Sequence, residues 1–379
     1  MTVGATLGPD LDEDRKWMAR ALELAALGRG LTSPNPMVGA VVVRDGRLLG
    51  EGHHVRAGAP HAEVVALTQA GPAARGATLY VSLEPCNHRG RTPPCAAAIV
   101  GAGLARVVAA VGDPNPRAGG GADALRAAGV AVEMGCLAEE ASALNRVFLT
   151  AMRERRPHVT LKCAMTLDGK TAAFDRSSRW ITGEEARGEA HRLRSEADAI
   201  AVGIGTALAD DPALTVRLGR LWPREPWRVV VDSHARLPVT AQVIRAGAPA
   251  RALVAVTGQA PPDRVAALEA RGATVLACKG EGGRVDLADL CSRLLGLDVL
   301  GLLVEGGGEI AAAFLEAHLV DRVAFFVAPL LIGGRSAPTP VEGAGRTVGA
   351  AVRLRSVRVR AVGEDWLIEG EVASRERRG

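Results

Sequence analysis

A histidine, an acid and two cysteines stand at spacings that can hold a metal and move a proton beside it: His61-Ala62-Glu63, then Pro85-Cys86, then Cys95. One imidazole and two thiolates fill three corners of a tetrahedral zinc site and leave the fourth for water, as catalytic zinc requires. Glu63 lies close enough along the chain to face that water without being a ligand. A carboxylate there can accept the water's proton and pass it to a substrate nitrogen.

The order His-x-Glu, Pro-Cys, Cys matches the signature of zinc deaminases, with one difference. The usual second element is Cys-x-x-Cys, whereas eight residues separate Cys86 from Cys95. A purely structural zinc site is the competing reading. It would want a fourth protein ligand, for which only His88 offers itself, and would leave Glu63 without a role.

The second chemical signal is Leu302-Leu303-Val304-Glu305-Gly306-Gly307-Gly308, an apolar strand pattern running into three glycines. Glycines at the start of a helix let backbone N–H groups approach a phosphate at its positive end, although a plain strand-to-helix turn reads the same way. No Gly-x-Gly-x-x-Gly with a later acid supports a Rossmann dinucleotide site.

Short Val-rich runs alternate with longer Ala/Leu/Arg segments, the pattern of α/β layers. In the first part, helices are expected at Asp12–Leu27, from His61, from Cys95, at Asp123–Ala128 and at Ala138–Met152. Strands are expected at Met37–Val43, Leu48–His54, Ala77–Leu83, Arg106–Val111 and Val130–Met134. A charged stretch ended by Pro157 predicts a boundary, giving domains over 1–152 and 153–379. Strands then follow at His158–Ala164, Ala199–Val202, Arg228–Val231, Ala252–Val256, Thr274–Ala277 and Val299–Val304. The tail, Val323–Val327, Val352–Ala361 and Trp366–Val372, reads as further, antiparallel strands.

Composition narrows the classes. The 46 basic and 42 acidic residues nearly cancel, and the fourteen of each sign before Arg153 place the whole surplus in the second part. A net +4, five Trp, five Phe and one Tyr do not favour a nucleic-acid binder, which needs concentrated basic charge and stacking platforms. Six Cys are no disulfide framework, and the acidic start around Asp10–Asp14 is no secretory signal. No run reaches the roughly 18 uncharged apolar residues of a spanning helix. The expectation is a soluble, cytoplasmic α/β protein.

The long spacer carries a resemblance. Ser82-Leu83-Glu84-Pro85-Cys86-Asn87-His88-Arg89-Gly90-Arg91-Thr92-Pro93-Pro94-Cys95 is similar to the deaminase half of the bifunctional riboflavin-biosynthesis deaminase/reductase family. Ser33-Pro34-Asn35-Pro36-Met37-Val38-Gly39 and Asp113-Pro114-Asn115-Pro116 match it too. Arg156–Lys162, Thr166–Lys170, Ser178–Thr182, His191–Arg194, Gly205-Thr206 and Asp210–Arg217 resemble its reductase half. The Arg117–Gly121 loop is one residue shorter than is common in the family, and Thr166 stands where Ser is frequent.

The resemblance implies a cytidine-deaminase-like α/β/α domain followed by a dihydrofolate-reductase-like α/β domain. It implies one Zn2+ per chain on His61, Cys86 and Cys95, with Glu63 as proton carrier, and NADPH in the second domain. The implied chemistry is zinc-dependent deamination of 2,5-diamino-6-(5-phosphoribosylamino)pyrimidin-4-one, then NADPH reduction of the ribosyl group to the ribityl form. Asn35, His88 and Arg91 would meet the deaminase substrate. NADPH would lie against Ala164, Trp180, Thr206, Asp210, Ser233 and the loop Gly307, Gly308, Glu309, Ile310, Ala311, Ala312, Ala313. The reductase substrate would lie against Ser178, Arg194, Leu214, Arg217 and Glu305, with the two arginines suited to a phosphate. Asp168 reads as a turn residue beside Gly169. The partners implied are this small molecule and further copies of the chain, with neither nucleic acid nor membrane. A nucleic-acid deaminase with a C-terminal binding module is the alternative, but it leaves the Gly306 loop and the Asp210–Arg217 segment unexplained.

Overall fold

The computed structural model describes residues 9–88, 93–219, 222–246 and 251–373. The chain divides into two compact units between Arg155 and Arg156.

The first unit contains α1 (Pro9–Ala26), β1 (Gly39–Arg44), β2 (Arg47–His53), α2 (Ala62–Ala70), β3 (Thr78–Val81), α3 (Cys95–Ala102), β4 (Arg106–Ala109), α4 (Gly121–Ala127), β5 (Ala131–Met134), α5 (Ala138–Leu144) and α6 (Arg146–Glu154). Its sheet runs β2-β1-β3-β4-β5, with β1 antiparallel to both neighbours and β3, β4 and β5 parallel. Side chains alternate across a strand, so β1 feeds two cores at once. Ala40 and Val42 pack with Ala62, Ala66 and Ile99, while Val41 and Val43 pack with Met18, Ala21 and Leu24. The result is an α/β/α sandwich. Its parallel strands end beside the starts of α2 and α3, where open α/β sheets place their sites.

One predicted helix is two. Asn145 interrupts Ala138–Met152 with φ −97° and ψ 19°. The buried amide leaves the helical pattern to bond the backbone of Met37, accepting from its N–H and donating to its carbonyl, both at 2.8 Å.

The second unit contains β6 (His158–Thr166), α7 (Glu184–Glu196), β7 (Ala199–Gly203), α8 (Ile204–Asp210), β8 (Trp227–Val231), α9 (Gln242–Arg245), β9 (Ala252–Val256), α10 (Pro262–Glu269), β10 (Thr274–Ala277), β11 (Gly280–Glu281), β12 (Arg284–Val285), α11 (Leu287–Leu295), β13 (Gly301–Glu305), α12 (Gly308–Glu316), β14 (Arg322–Ala328), β15 (Leu354–Val362) and β16 (Asp365–Val372). The large sheet runs β10-β9-β8-β7-β13-β6-β14-β16-β15. Its first seven strands are parallel. The tail strands pair antiparallel with one another, as the sequence predicts, but β14 also runs parallel to β6. The central strands are covered on both faces and so read as apolar runs. Val159, Leu161, Leu302 and Val304 pack with Leu290 and Phe314, and Ile200, Val202 and Val230 pack with Leu237 and Ile244.

Candidate active sites

His61 is the residue before α2, Cys86 follows β3 and Cys95 opens α3, so three separate elements bring the donors together. Their ligand atoms all lie within 4.8 Å of one another. His61 Nδ1 is 3.2 Å from Cys95 Sγ and 3.6 Å from Cys86 Sγ. Zinc bonds of about 2.0–2.3 Å at tetrahedral angles place such atoms about 3.6 Å apart, so nitrogen and sulfurs here fit a zinc ion. The Cys86 thiol is drawn down to about 4 by its hydrogen bond with Cys95, with His61 adding to the effect, while Cys95 is pushed up. Glu63, in the first turn of α2, is 3% exposed, and burial raises its carboxyl above the usual range. A buried acid with raised affinity for protons, beside the metal donors, is suited to carrying one.

Asn35 is held by a residue the sequence reading did not single out. Its Nδ2 donates to His54 Nε2 at 3.0 Å, and His54 Nδ1 donates to the Pro60 carbonyl at 3.1 Å. This relay fixes the His54 tautomer, and burial lowers its pKa. The His54 ring also meets His61 edge-on, with centroids 5.5 Å apart. The one sequence signal was a histidine pair ending an apolar strand. His88 keeps a buried Nδ1 without a hydrogen-bond partner. Arg91 lies outside the described residues. The shortened Arg117–Gly121 loop closes on the zinc segment: Asn87 N–H donates to Ala118 O, and Gly120, at φ 86°, caps α4. A Cβ on Gly121 would stand 1.7 Å from the Pro85 carbonyl oxygen, so only glycine allows this approach.

In the second unit a cleft of about 560 Å³ opens at the ends of β6, β7 and β13. Of the residues assigned to cofactor, Ala164, Trp180, Thr206, Asp210 and the run Gly307 to Ala311 line it. Gly306 and Gly307 sit at φ 77° and 82°, and a Cβ on Gly307 would press to 2.9 Å of Thr206 Oγ1. Bare backbone leading into a nine-residue helix fits a dinucleotide's phosphates. Ser178, Arg194, Leu214, Arg217 and Glu305 also line the cleft.

The Ser233 hydroxyl, assigned to the cofactor, accepts from Val285 N–H. Ala312 and Ala313 continue α12 directly beyond the run that lines the cleft, with Ala312 buried. Arg194, expected to clasp a phosphate, spends its fork on Glu305 through Nε at 2.8 Å and Nη2 at 2.7 Å, and Nη1 donates to Thr215 O. Burial alone would raise the Glu305 carboxyl, but Arg194 and then Lys162 outweigh it and hold the group at about 2. Arg217 lines the cleft beside further cations that the sequence reading did not assign to a site. Lys162, Arg176 and Arg187 line the cleft, and Arg187 stacks on Trp180 with its guanidinium 4.6 Å from the ring. His191 lines it too. Burial and then Arg194 and Arg217 lower its pKa to about 4, leaving it neutral near pH 7. Its spacing of three from Arg194 on one helix was the available clue. Asp168 does more than turn the chain, since it accepts from Thr166, Ile332 and Gly333.

Known proteins match both units. Residues 11–111 fit the cytidine and deoxycytidylate deaminase zinc-binding region, and residues 157–368 fit the RibD C-terminal domain. The riboflavin biosynthesis protein RibD of Aquifex aeolicus is 43% identical over 94% of this chain and 97% of its own length. The chain belongs to the RibD family. The solved RibD of Acinetobacter baumannii superposes with a TM-score of 0.86 at 38% identity, covering 96% of this chain and all of that one. A Thermotoga maritima structure titled diaminohydroxyphosphoribosylaminopyrimidine deaminase/5-amino-6-(5-phosphoribosylamino)uracil reductase gives 0.83 at 34% identity, with the same coverage. The chain is therefore a bifunctional enzyme of riboflavin biosynthesis, a zinc-dependent deaminase joined to an NADPH-dependent reductase. Its first domain is of cytidine-deaminase type and its second is dihydrofolate-reductase-like.

Proposed function

We propose that this chain deaminates 2,5-diamino-6-(5-phosphoribosylamino)pyrimidin-4-one in the first domain, 1–152, and reduces the product's ribosyl group in the second, 153–379. The observation that carries the first half is the meeting of His61, Cys86 and Cys95 beside buried Glu63. Zinc held there supplies Lewis acidity that brings water's pKa toward neutrality. Glu63 accepts a proton and returns it to the departing amine, which leaves as ammonia. Asn35, fixed by His54, orients the pyrimidine, and the family resemblance assigns His88 and Arg91 to the rest of the substrate.

NADPH held in the cleft would supply the hydride that the ribosyl carbon needs. The glycine loop and Thr206 seat the cofactor, Arg217 takes the substrate's phosphate, and Glu305 with Ser178 holds its polar groups. Opening the sugar also needs a proton on the ring oxygen. We assign that donation to Lys162, which lines the cleft together with Glu305 and His191.

A small phosphorylated pyrimidine, not a nucleic acid, is the substrate we infer, and the cytoplasm its compartment. No helix among the described residues is long and apolar enough to cross a membrane. β15, which ends the sheet with Val357 and Val359 exposed, is our candidate contact between copies in a homo-oligomer.

The test is ammonia release and NADPH oxidation by the zinc-loaded chain given the pyrimidine ribosylamine phosphate. Both are expected, and absence of both overturns the reading. Glu63→Gln should abolish only the first and Lys162→Ala only the second, when the latter is assayed with deaminated substrate. Light scattering showing a monomer at micromolar concentration would remove the oligomer.

A further inference from the structure

The geometry points to Glu84 as the positioning residue that fixes Cys86, and with it the zinc, although Glu84 touches neither substrate nor the ligand atoms. This inference rests on the zinc-site reading above. Glu84 precedes Cys86 by two residues, in a segment that has left β3 and has no sheet partner of its own. Such a segment needs other restraints if a sulfur is to be held in place.

Glu84 supplies them from both ends. Its backbone N–H donates to Val111 O at 2.8 Å. Its Oε2 accepts from Asp113 N–H at 3.0 Å, and its Oε1 accepts from Ala122 N–H at 2.9 Å. One carboxylate thereby ties the zinc segment to the turn after β4 and to the first turn of α4. The bare contact of Gly121 on the Pro85 carbonyl completes this side. On the other side, Cys86 receives Cys95 N–H on its sulfur at 3.4 Å and Ala96 N–H on its carbonyl at 3.2 Å. Cys86 is thus gripped between α3 and the Asp113–Ala122 loop, and Glu84 is the side chain that makes the second grip.

The chemistry is specific to a carboxylate. Both backbone groups are donors, so both side-chain oxygens must accept. A glutamine of the same shape offers one oxygen and turns its NH2 toward the other N–H, losing one bond and setting donor against donor. Groups that orient metal ligands at one remove commonly change metal affinity by about 10- to 100-fold.

The experiment compares zinc release to a chromogenic chelator from the full-length wild type, Glu84→Gln and Tyr80→Phe. Tyr80 donates to Asp14 at 2.8 Å on the other face of the sheet, so its loss costs a hydrogen bond away from the zinc donors. Glu84→Gln should release zinc about 10- to 100-fold faster, while its metal-free melting temperature falls no more than that of Tyr80→Phe, which releases zinc at the wild-type rate. Equal release from Glu84→Gln and wild type overturns the proposal. So does equal acceleration in both variants, because general loosening then explains it. If Glu84→Gln does not fold, Glu84→Asp keeps both acceptors but withdraws them by one methylene, and wild-type release from it overturns the proposal equally. A wild type that binds no zinc would instead sink the underlying site.

Discussion

Replacing Asn145 by Ala should loosen the deaminase substrate site from 108 positions away in the chain, because Asn145 is the clasp that holds Met37. Its amide makes two hydrogen bonds of 2.8 Å while the residue is 1% exposed, so water cannot readily replace it. Two such bonds are worth about 1 kcal/mol each, and each backbone group left buried and unpaired adds a penalty of about 1–3 kcal/mol. Relaxation that admits water to one of them leaves a net loss of about 3–5 kcal/mol. Alanine also favours helix and would help to join α5 to α6, a gain of about 0.6 kcal/mol that does not reverse the sign. Against a domain stability of about 5–15 kcal/mol this is a large fraction. Asn35 lies two residues before Met37, so the freed segment should raise KM for the pyrimidine more than it lowers kcat. Two domains in one chain make a single unfolding curve ambiguous, so the direct assay is hydrogen exchange at the Met37 amide. Faster exchange there, with reductase amides unchanged, is expected. Native protection of Met37 together with a stability change under about 0.5 kcal/mol would refute the reasoning.

Other outcomes follow from the same geometry. Glu63→Gln should retain zinc by metal analysis yet lose about 10²- to 10⁴-fold in ammonia release. A chelator should abolish ammonia release while leaving NADPH oxidation with deaminated substrate intact, because the reductase cleft lies wholly in the second unit. Glu305→Ala should cost about 3–5 kcal/mol in urea unfolding of the second unit, since it strands buried Arg194 without its counter-charge. His191 sits at about 4 when folded, below its ordinary value, so the unfolded chain takes up the proton first. The second unit should therefore lose stability as pH falls from about 6.5 toward 4, and His191→Gln should flatten that part of the profile in melts across pH.

The zinc site was legible because its chemistry is carried by residue types. Histidine, cysteine and glutamate at those spacings have few other uses together, and His61, Glu63 and Cys95 sit at helix starts that local pattern also marks. Helix α5–α6 was misread as one because its helical pattern is strong and local. Only the backbone of Met37, more than a hundred positions away, gives Asn145 a reason to break it. The Arg117–Gly121 loop was equally opaque: counting residues against a family pattern said it was short, but not that Gly121 must touch Pro85.

Arginine pairing is a contact that sequence alone does not show. Arg194 and Arg217 stand in similar motif stretches, and both looked fit for a phosphate. Glu305 arrives at the end of β13, more than a hundred positions later, and takes the fork of Arg194. A buried guanidinium and carboxylate each carry a desolvation cost that the pair offsets, so a ligand phosphate would have to displace a partner already at 2.7–2.8 Å. Arg217 bears no such burden. Its Nε is 3.3 Å from the neutral His191 ring, a weak contact that an anion can readily replace. The cleft therefore separates two cations that sequence treats alike. One is paired with Glu305 in the wall, and the other stands exposed against the His191 ring.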